Sequence, residues 1–186
     1  MNVKEVLKPA AILLVICVAV SAALAGTNLL TQDRIAQAAA QKAEESRMVV
    51  LPGAESFEEK DGHHAGLDSA GQVVGYVFET ESKGYGGTIR VMTGISAQGG
   101  ITGVVILSHG ETPGLGANAE KEAFRDQYKQ PIAGSAGGIG VVKFQTPGEG
   151  EIQAMTGATI TSAAVTNAVN LAIAQYQSLY VSEGGN

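Results

Sequence analysis

The chain has 186 residues, room for one domain plus an anchor. Its formal charge is -6 with 16% charged residues, so no basic surface invites nucleic acid. The single cysteine, Cys17, excludes an intrachain disulfide and leaves no thiol cluster for zinc or an iron–sulfur centre.

From Pro9 to Gln32 the sequence carries no charge, and its core from Ala10 to Val20 is strongly apolar. A helix over this stretch reaches across the roughly 30 Å hydrocarbon core of a bilayer. Ala23-Leu24-Ala25 before Gly26 also fits a signal-peptidase site. The apolar run outlasts a signal core of roughly 7–15 residues, which favours a retained anchor. Lys4 and Lys8 precede the span, whereas Asp33 and Arg34 behind it cancel. The positive-inside rule then predicts a cytoplasmic N-terminus and an extracytoplasmic remainder in a single-pass protein of the cell membrane. Cys17, mid-span, reads as a packing residue. Asp33 to Met48 is rich in Ala, Gln, Lys and Glu, so the helix is expected to continue as a polar stalk until Pro52-Gly53.

The expected division is a tip and membrane helix over residues 1–32, a stalk over 33–50 and a globular domain over 51–186. Glu58 to His64 reads as an exposed loop; its paired histidines lack partners at metal-ligand spacing. Val73 to Thr80, Ile89 to Ile95 and Ile101 to Leu107 read as strands of an antiparallel meander, with Gly99-Gly100 as a turn. Asn118 is placed to cap a short helix from Ala119 to Tyr128. Gly134 to Gly140 reads as a glycine-rich turn, and Val141 to Phe144 as a further strand. Val165, Ala168, Val169, Ala172, Ile173 and Tyr176 form one apolar face of a closing helix. The predicted class is α+β, helices packed on a mostly antiparallel sheet.

Three short blocks carry candidate chemistry. Thr156-Gly157-Ala158-Thr159-Ile160-Thr161-Ser162 places hydroxyls and small residues at a helix start, where free amides and the dipole favour an anion. Capping by Thr161 or Ser162 explains the same residues without a ligand. Ser108 to Gly116 follows a buried strand; His109 and Glu111 there suit acid–base work, hydrogen bonding to a polar ring edge, or a loop cap. Lys83-Gly84-Tyr85-Gly86-Gly87 exposes an aromatic ring among glycines, for a planar ligand or simply a hairpin turn. No Ser-His-Asp set or metal triad is visible in the sequence, so hydrolysis is not expected.

These blocks, in this order behind an N-terminal anchor, resemble the FMN-binding G-type subunit of the Rnf complex, related to the C-type subunit of the sodium-pumping NADH:quinone reductase. The resemblance covers nearly the whole chain. Thr156-Gly157-Ala158-Thr159 is similar to the family's Ser/Thr-Gly-Ala-Thr flavinylation motif, which implies a phosphoester between Thr159 and FMN. It also implies a cofactor site drawing on Thr156, Gly157, Ala158, Ile160 and Thr161, on Tyr85 and Gly86, and on His109, Glu111, Thr112, Pro113, Gly114 and Leu115. One position departs: the family signature usually has Asp three residues before the first hydroxyl, where Gln153 stands. Thr161 is the competing hydroxyl.

The resemblance implies an electron carrier, modified by a flavin transferase, that relays electrons among other membrane subunits, including a second flavin subunit. Such a complex couples ferredoxin–NAD electron flow to sodium or proton movement. Three other readings stand beside it: the quinone-reductase homologue, usually longer than this chain; a tethered module binding an anion or flavin without a covalent bond; and a pilin-like assembly protein.

Overall fold

The computed structural model describes residues 3–132 and 138–182. The chain divides into two compact units, Met1–Gln41 and Lys42–Asn186.

A single helix, α1, runs from Val3 to Val50. It is the one helix among the described residues long and apolar enough to cross a membrane. In the first unit, large apolar side chains including Ile12, Leu13, Leu14, Val15, Ile16, Val18 and Val20 are exposed all round it. That pattern suits lipid rather than a protein core. The Thr27 and Thr31 hydroxyls turn back onto the carbonyls of Ala23 and Thr27, so these polar groups are satisfied within the helix. Cys17 is exposed, and the packing role expected for it finds no partner among the described residues.

In the second unit, five strands follow: β1 (Ser56–Lys60), β2 (His63–Leu67), β3 (Val73–Lys83), β4 (Thr88–Ser96) and β5 (Ile101–Ser108). They pair consecutively and antiparallel in the order β1-β2-β3-β4-β5. The expected loop from Glu58 to His64 is therefore a hairpin. Lys60 pairs with His63 across the two-residue turn Asp61-Gly62, where Gly62 has φ 80°. Asp-Gly is a strong short-range hairpin signal; the surrounding charges, which protect an edge strand, mask it. His63 is buried between the rings of Tyr76 and Phe78, each 5.7 Å away.

Beyond β5 the predicted single helix is broken into a 3-10 turn (Gly116–Glu120), a short α2 (Glu122–Arg125) and a second 3-10 turn (Asp126–Tyr128). Asn118 lies inside the first turn and donates to the Gly114 carbonyl instead of capping. Strand β6 (Gly140–Val142) begins one residue before the expected Val141 and pairs in parallel with β7 (Glu151–Gln153). Phe144, at the end of the expected strand, lies outside it and is 98% exposed. The glycine-rich turn expected at 134–140 falls largely on 133–137, outside the described residues. The chain closes with α3 (Thr159–Ser182).

The α+β class is as expected, and α3 decides how it is built. Its buried face, Val165, Ala168, Val169, Ala172, Ile173 and Tyr176, packs on Phe78, Ile89, Val91, Ile95, Val104 and Ile106 of the sheet. The opposite face holds a smaller cluster of Val50, Leu51, Val77 and Met92. There the end of α1 approaches backbone to backbone. Gly94 and Gly103 are register partners. A Cβ on Gly94 would strike the Val50 carbonyl, and one on Gly103 would lie 2.9 Å from the Val50 Cα. The Thr102 hydroxyl donates to that same carbonyl.

Candidate functional site

The β3–β4 turn, the loop after β5 and the loop before α3 all arrive at one end of the sheet. The antiparallel register forces this, because Lys83 pairs with Thr88 and Arg90 with Ser108. The first two loops touch without side chains between them: a Cβ on Gly86 would strike the Gly110 carbonyl. Glycine is required there by contact, not by conformation.

Glu111 ties all three loops together. Its side chain is buried. Oε1 accepts the Gly86 amide at 2.9 Å, and Oε2 accepts the Thr161 hydroxyl at 2.5 Å. Gly84 and Gly116 leave room for this carboxylate, since a Cβ on either would collide with one of its oxygens. The Glu111 amide in turn donates to His109 Nδ1 at 3.1 Å, while His109 Nε2 lies 3.4 Å from Glu120 Oε1. Burial by itself raises the Glu111 pKa. The Thr161 hydroxyl, the Gly86 and Tyr85 amides and the charge of His109 outweigh it, holding the carboxyl below its ordinary range. The polar atoms of Glu111 and His109 are engaged with the surrounding loops, through Gly86, Thr161, Glu120 and the Glu111 amide.

The start of α3 forms the other wall. Thr159 is its first residue, so Thr161 and Ser162 lie within the first turn and cap nothing from outside. Ser162 Oγ instead accepts the Met155 amide and donates to the Ala158 carbonyl, each at 2.9 Å, closing the approach turn. Gly157 in that turn has φ 75°, a left-handed conformation that other residues adopt only under strain. The Ala158 amide bonds Met155 and the Ser162 amide bonds Ala158. The amides of Thr159, Ile160 and Thr161 between them find no acceptor among the described residues.

Between the walls lies a cleft of about 560 Å³, lined by Tyr85, Glu111, Thr112, Leu115, Gly116, Gly157, Ala158, Thr159, Ile160 and Thr161. That volume is within the range of small-molecule and cofactor sites. Tyr85, Leu115 and Ile160 are 74%, 46% and 57% exposed and give it an apolar rim. Nine of the candidate residues thus line one cavity. Gly86 supports it through Glu111. His109, Pro113, Gly114 and Thr156 stand outside the lining, the last three exposed. Sequence reasoning passed over Gly84, Gly116 and Ser162 as site residues. The first two lie inside the quoted blocks, and only the packing of Glu111 shows their purpose.

The two hydroxyls that compete in the sequence are in different situations. Thr161 is 1% exposed and its hydroxyl is committed to Glu111. Thr159 is half-buried and lines the cleft. Gln153 lies on β7 and donates to the Lys143 carbonyl at 2.6 Å, away from the cleft lining.

Comparison with known proteins accounts for both parts of the chain. Residues 1–47 match the RnfG N-terminal region and residues 84–174 the FMN-binding domain. The chain is 41% identical to the G-type subunit of the Na(+)-translocating ferredoxin:NAD(+) oxidoreductase complex of Acetobacterium woodii, over 95% of this chain and 94% of that one. It is 38% identical to the G-type subunit of the proton-translocating ferredoxin:NAD(+) oxidoreductase complex of Clostridium ljungdahlii, over 82% and 81%. The fold resembles NqrC of Shewanella oneidensis, with a TM-score of 0.52 at 24% identity over 68% of this chain and 67% of that one. A second neighbour is the C-type subunit of the Na(+)-translocating NADH-quinone reductase of Parabacteroides distasonis, with a TM-score of 0.50 at 25% identity over 64% and 61%. Matched from its anchor to its final helix, the chain belongs to the RnfG family, the G-type subunits of ion-translocating ferredoxin:NAD(+) oxidoreductase complexes, whose globular part is an FMN-binding domain.

Proposed function

We propose that this chain carries electrons within a membrane-bound Rnf-type complex through an FMN esterified to Thr159. One observation carries the choice of residue: of the three hydroxyls in the first turn of α3, Thr161 is buried and bonded to Glu111 and Ser162 is buried and bonded to Met155 and Ala158, whereas Thr159 lines the cleft. The residues present suit FMN. Three amides at the start of α3, without an acceptor among the described residues, would meet a phosphate's charge, and Gly157 lets it approach the backbone. The exposed Tyr85, Leu115 and Ile160 offer apolar surface to a planar ring. Bound FMN supplies reversible one- and two-electron chemistry, and the protein positions it.

The Thr159 oxygen would form the ester by attacking the phosphorus of an activated flavin phosphate supplied by a flavin transferase. The bond from that phosphorus to the donor's leaving group breaks, the leaving group departs with the bonding pair, and the Thr159 hydroxyl proton passes to a base of the transferase. A bond of this kind keeps the cofactor in place where none can be recaptured, which suits a domain on the extracytoplasmic side. Lys4 and Lys8 before the span support that orientation, with the N-terminus in the cytoplasm. The span carries no charge from Pro9 to Gln32, so ion movement falls to other subunits, a second flavin subunit among the electron partners. One relative is named sodium-translocating and another proton-translocating, which agrees with an ion choice made outside this chain.

Peptide mapping of protein purified from cells that contain the transferase tests the reading. FMN mass on the peptide bearing Thr159, retained after denaturation, supports it. Release of all flavin on denaturation would favour the tethered noncovalent module, and FMN on Thr161 would reassign the acceptor.

A further inference from the structure

We propose that Glu111 is a positioning residue for flavin attachment. By accepting the Gly86 amide and the Thr161 hydroxyl together, it fixes the first turn of α3 against the Tyr85 loop and so presents Thr159 to the transferase. This rests on the reading of Thr159 as acceptor.

The argument is geometric. A helix start joined to the preceding strand through the five residues Ala154 to Ala158 has few restraints of its own, and its first residues tend to fray. Here the turn is held from two sides. Ser162 secures it from within the helix, through Met155 and Ala158. Glu111 secures it from across the cleft, through a residue separated from it by 50 positions. The carboxylate is seated by a third loop as well, and side chains at Gly84 or Gly116 would evict it. Charge-assisted bonds of this kind are roughly twice as strong as neutral ones, and a buried carboxylate that lost them would have to be resolvated. Thr159 lies two residues from Thr161 on the same turn. Any loosening of the Thr161 bond therefore moves the acceptor hydroxyl relative to the cleft. Transfer of a phosphoryl group depends steeply on such placement, and a displacement of about 1 Å can cost on the order of a hundred-fold in rate.

The experiment uses the full-length chain, made in cells without the transferase, purified in detergent and then incubated with the transferase and its flavin donor. The initial rate of attachment is read by in-gel flavin fluorescence and intact mass. Glu111→Ala is expected to slow attachment roughly ten- to a hundred-fold. Glu111→Gln, which keeps an acceptor for Gly86 and a partner for Thr161, is expected to restore a rate close to wild type. Thr161→Val, which removes one of the two contacts, is expected to be slowed to an intermediate degree and is the deciding variant if Glu111→Ala does not fold. Thr166→Val serves as a stability control: it strips the buried hydroxyl bonds to Tyr128 and to the Ser162 carbonyl from a residue outside the cleft lining, and leaves the Ser162 and Glu111 side-chain bonds in place.

A wild-type rate in folded Glu111→Ala or in Thr161→Val overturns the proposal. So does a loss in Thr166→Val as large as that in Glu111→Ala, which would reduce the effect to stability. Failure of the acceptor assignment looks different: Thr159→Ala would then still take up flavin, whatever the Glu111 variants do.

Discussion

The two faces of the five-stranded sheet are covered in different ways. On one, α3 buries a broad interlocking set of side chains from Val165 to Tyr176 against Phe78, Ile89, Val91 and Val104. On the other, the end of α1 is seated on paired glycines, and among the described residues a smaller cluster of Val50, Leu51, Val77 and Met92 is enclosed. Packing by side chains leaves the helix start at the cleft, with three amides that find no acceptor among the described residues. Packing by backbone contact fastens the chain with little apolar area, and the cavity beside it is lined mostly by charged and polar side chains, Glu44, Arg47, Glu55, Glu59 and His64 among them. The difference teaches that the larger core and the candidate site share one element, α3, whose body is buried in the core and whose first turn lines the cleft.

The sharpest break between those two parts of α3 is Thr159→Ala. It should remove all covalent flavin, read by intact mass, yet leave stability within about 0.5 kcal/mol in urea unfolding. Thr159 is only half-buried, and its hydroxyl has no hydrogen-bond partner among the described residues. A large stability loss would mean that the first turn is not separable from the core.

Next come truncations that weigh the two faces against each other. Ile173→Ala and Met92→Ala each remove a buried side chain, and each should cost about 2–5 kcal/mol. Ile173 lies in the larger cluster, with neighbours held on all sides, and its cost should be nearer the top of that range. Equal costs would argue that the outer face is packed as rigidly as the inner.

Gly94→Val attacks the glycine seat. Its Cβ meets backbone atoms of Val50 that cannot rotate away, and the expected cost is about 1–3 kcal/mol, with flavin content unchanged. Loss of flavin in a folded Gly94→Val protein would show that the outer face governs the cleft.

An acid titration of stability separates the outer face from the cleft by a smaller effect. His64, on the outer face, has its pKa lowered from 6.5 by burial and by the charge of Arg47. Glu111, in the cleft at the end of the sheet where α3 begins, is held below 4.5 because the hydrogen bonds it accepts and the charge of His109 outweigh its burial. Both folded pKa values are depressed, so each contribution is full above the unfolded value and is lost as pH falls through the folded one. Stability should therefore decline first below 6.5, a step that His64→Gln removes, and again below 4.5, a step that Glu111→Gln removes. Persistence of the first step in His64→Gln would assign it to another group.

The smallest expected change is Gln153→Asp, which restores the residue usual at that position. Asp has no N–H to give the Lys143 carbonyl, and the lost bond should cost about 0.5–1.5 kcal/mol. An increase in flavin attachment in the same variant would show that the transferase reads this side chain.

The sequence by itself determined the long apolar helix, the strands β3 to β5 and the buried face of α3. Each rests on a pattern spanning a few neighbouring residues, whether absence of charge, alternation or the i, i+3, i+4 spacing, and local patterns survive without knowledge of the fold. The β1–β2 hairpin is also locally written, in Asp61-Gly62, though its charges hide it. The resemblance pointed to the three blocks of the cleft and to Thr159. Only the tertiary structure shows that the Thr161 hydroxyl is buried against Glu111, that the Glu111 carboxylate bridges two loops, and that Gly84 and Gly116 leave it room. Those facts depend on hydrogen bonds between residues 25 and 50 positions apart. No periodicity records such a bond, because the two partners meet only after the sheet has set their register.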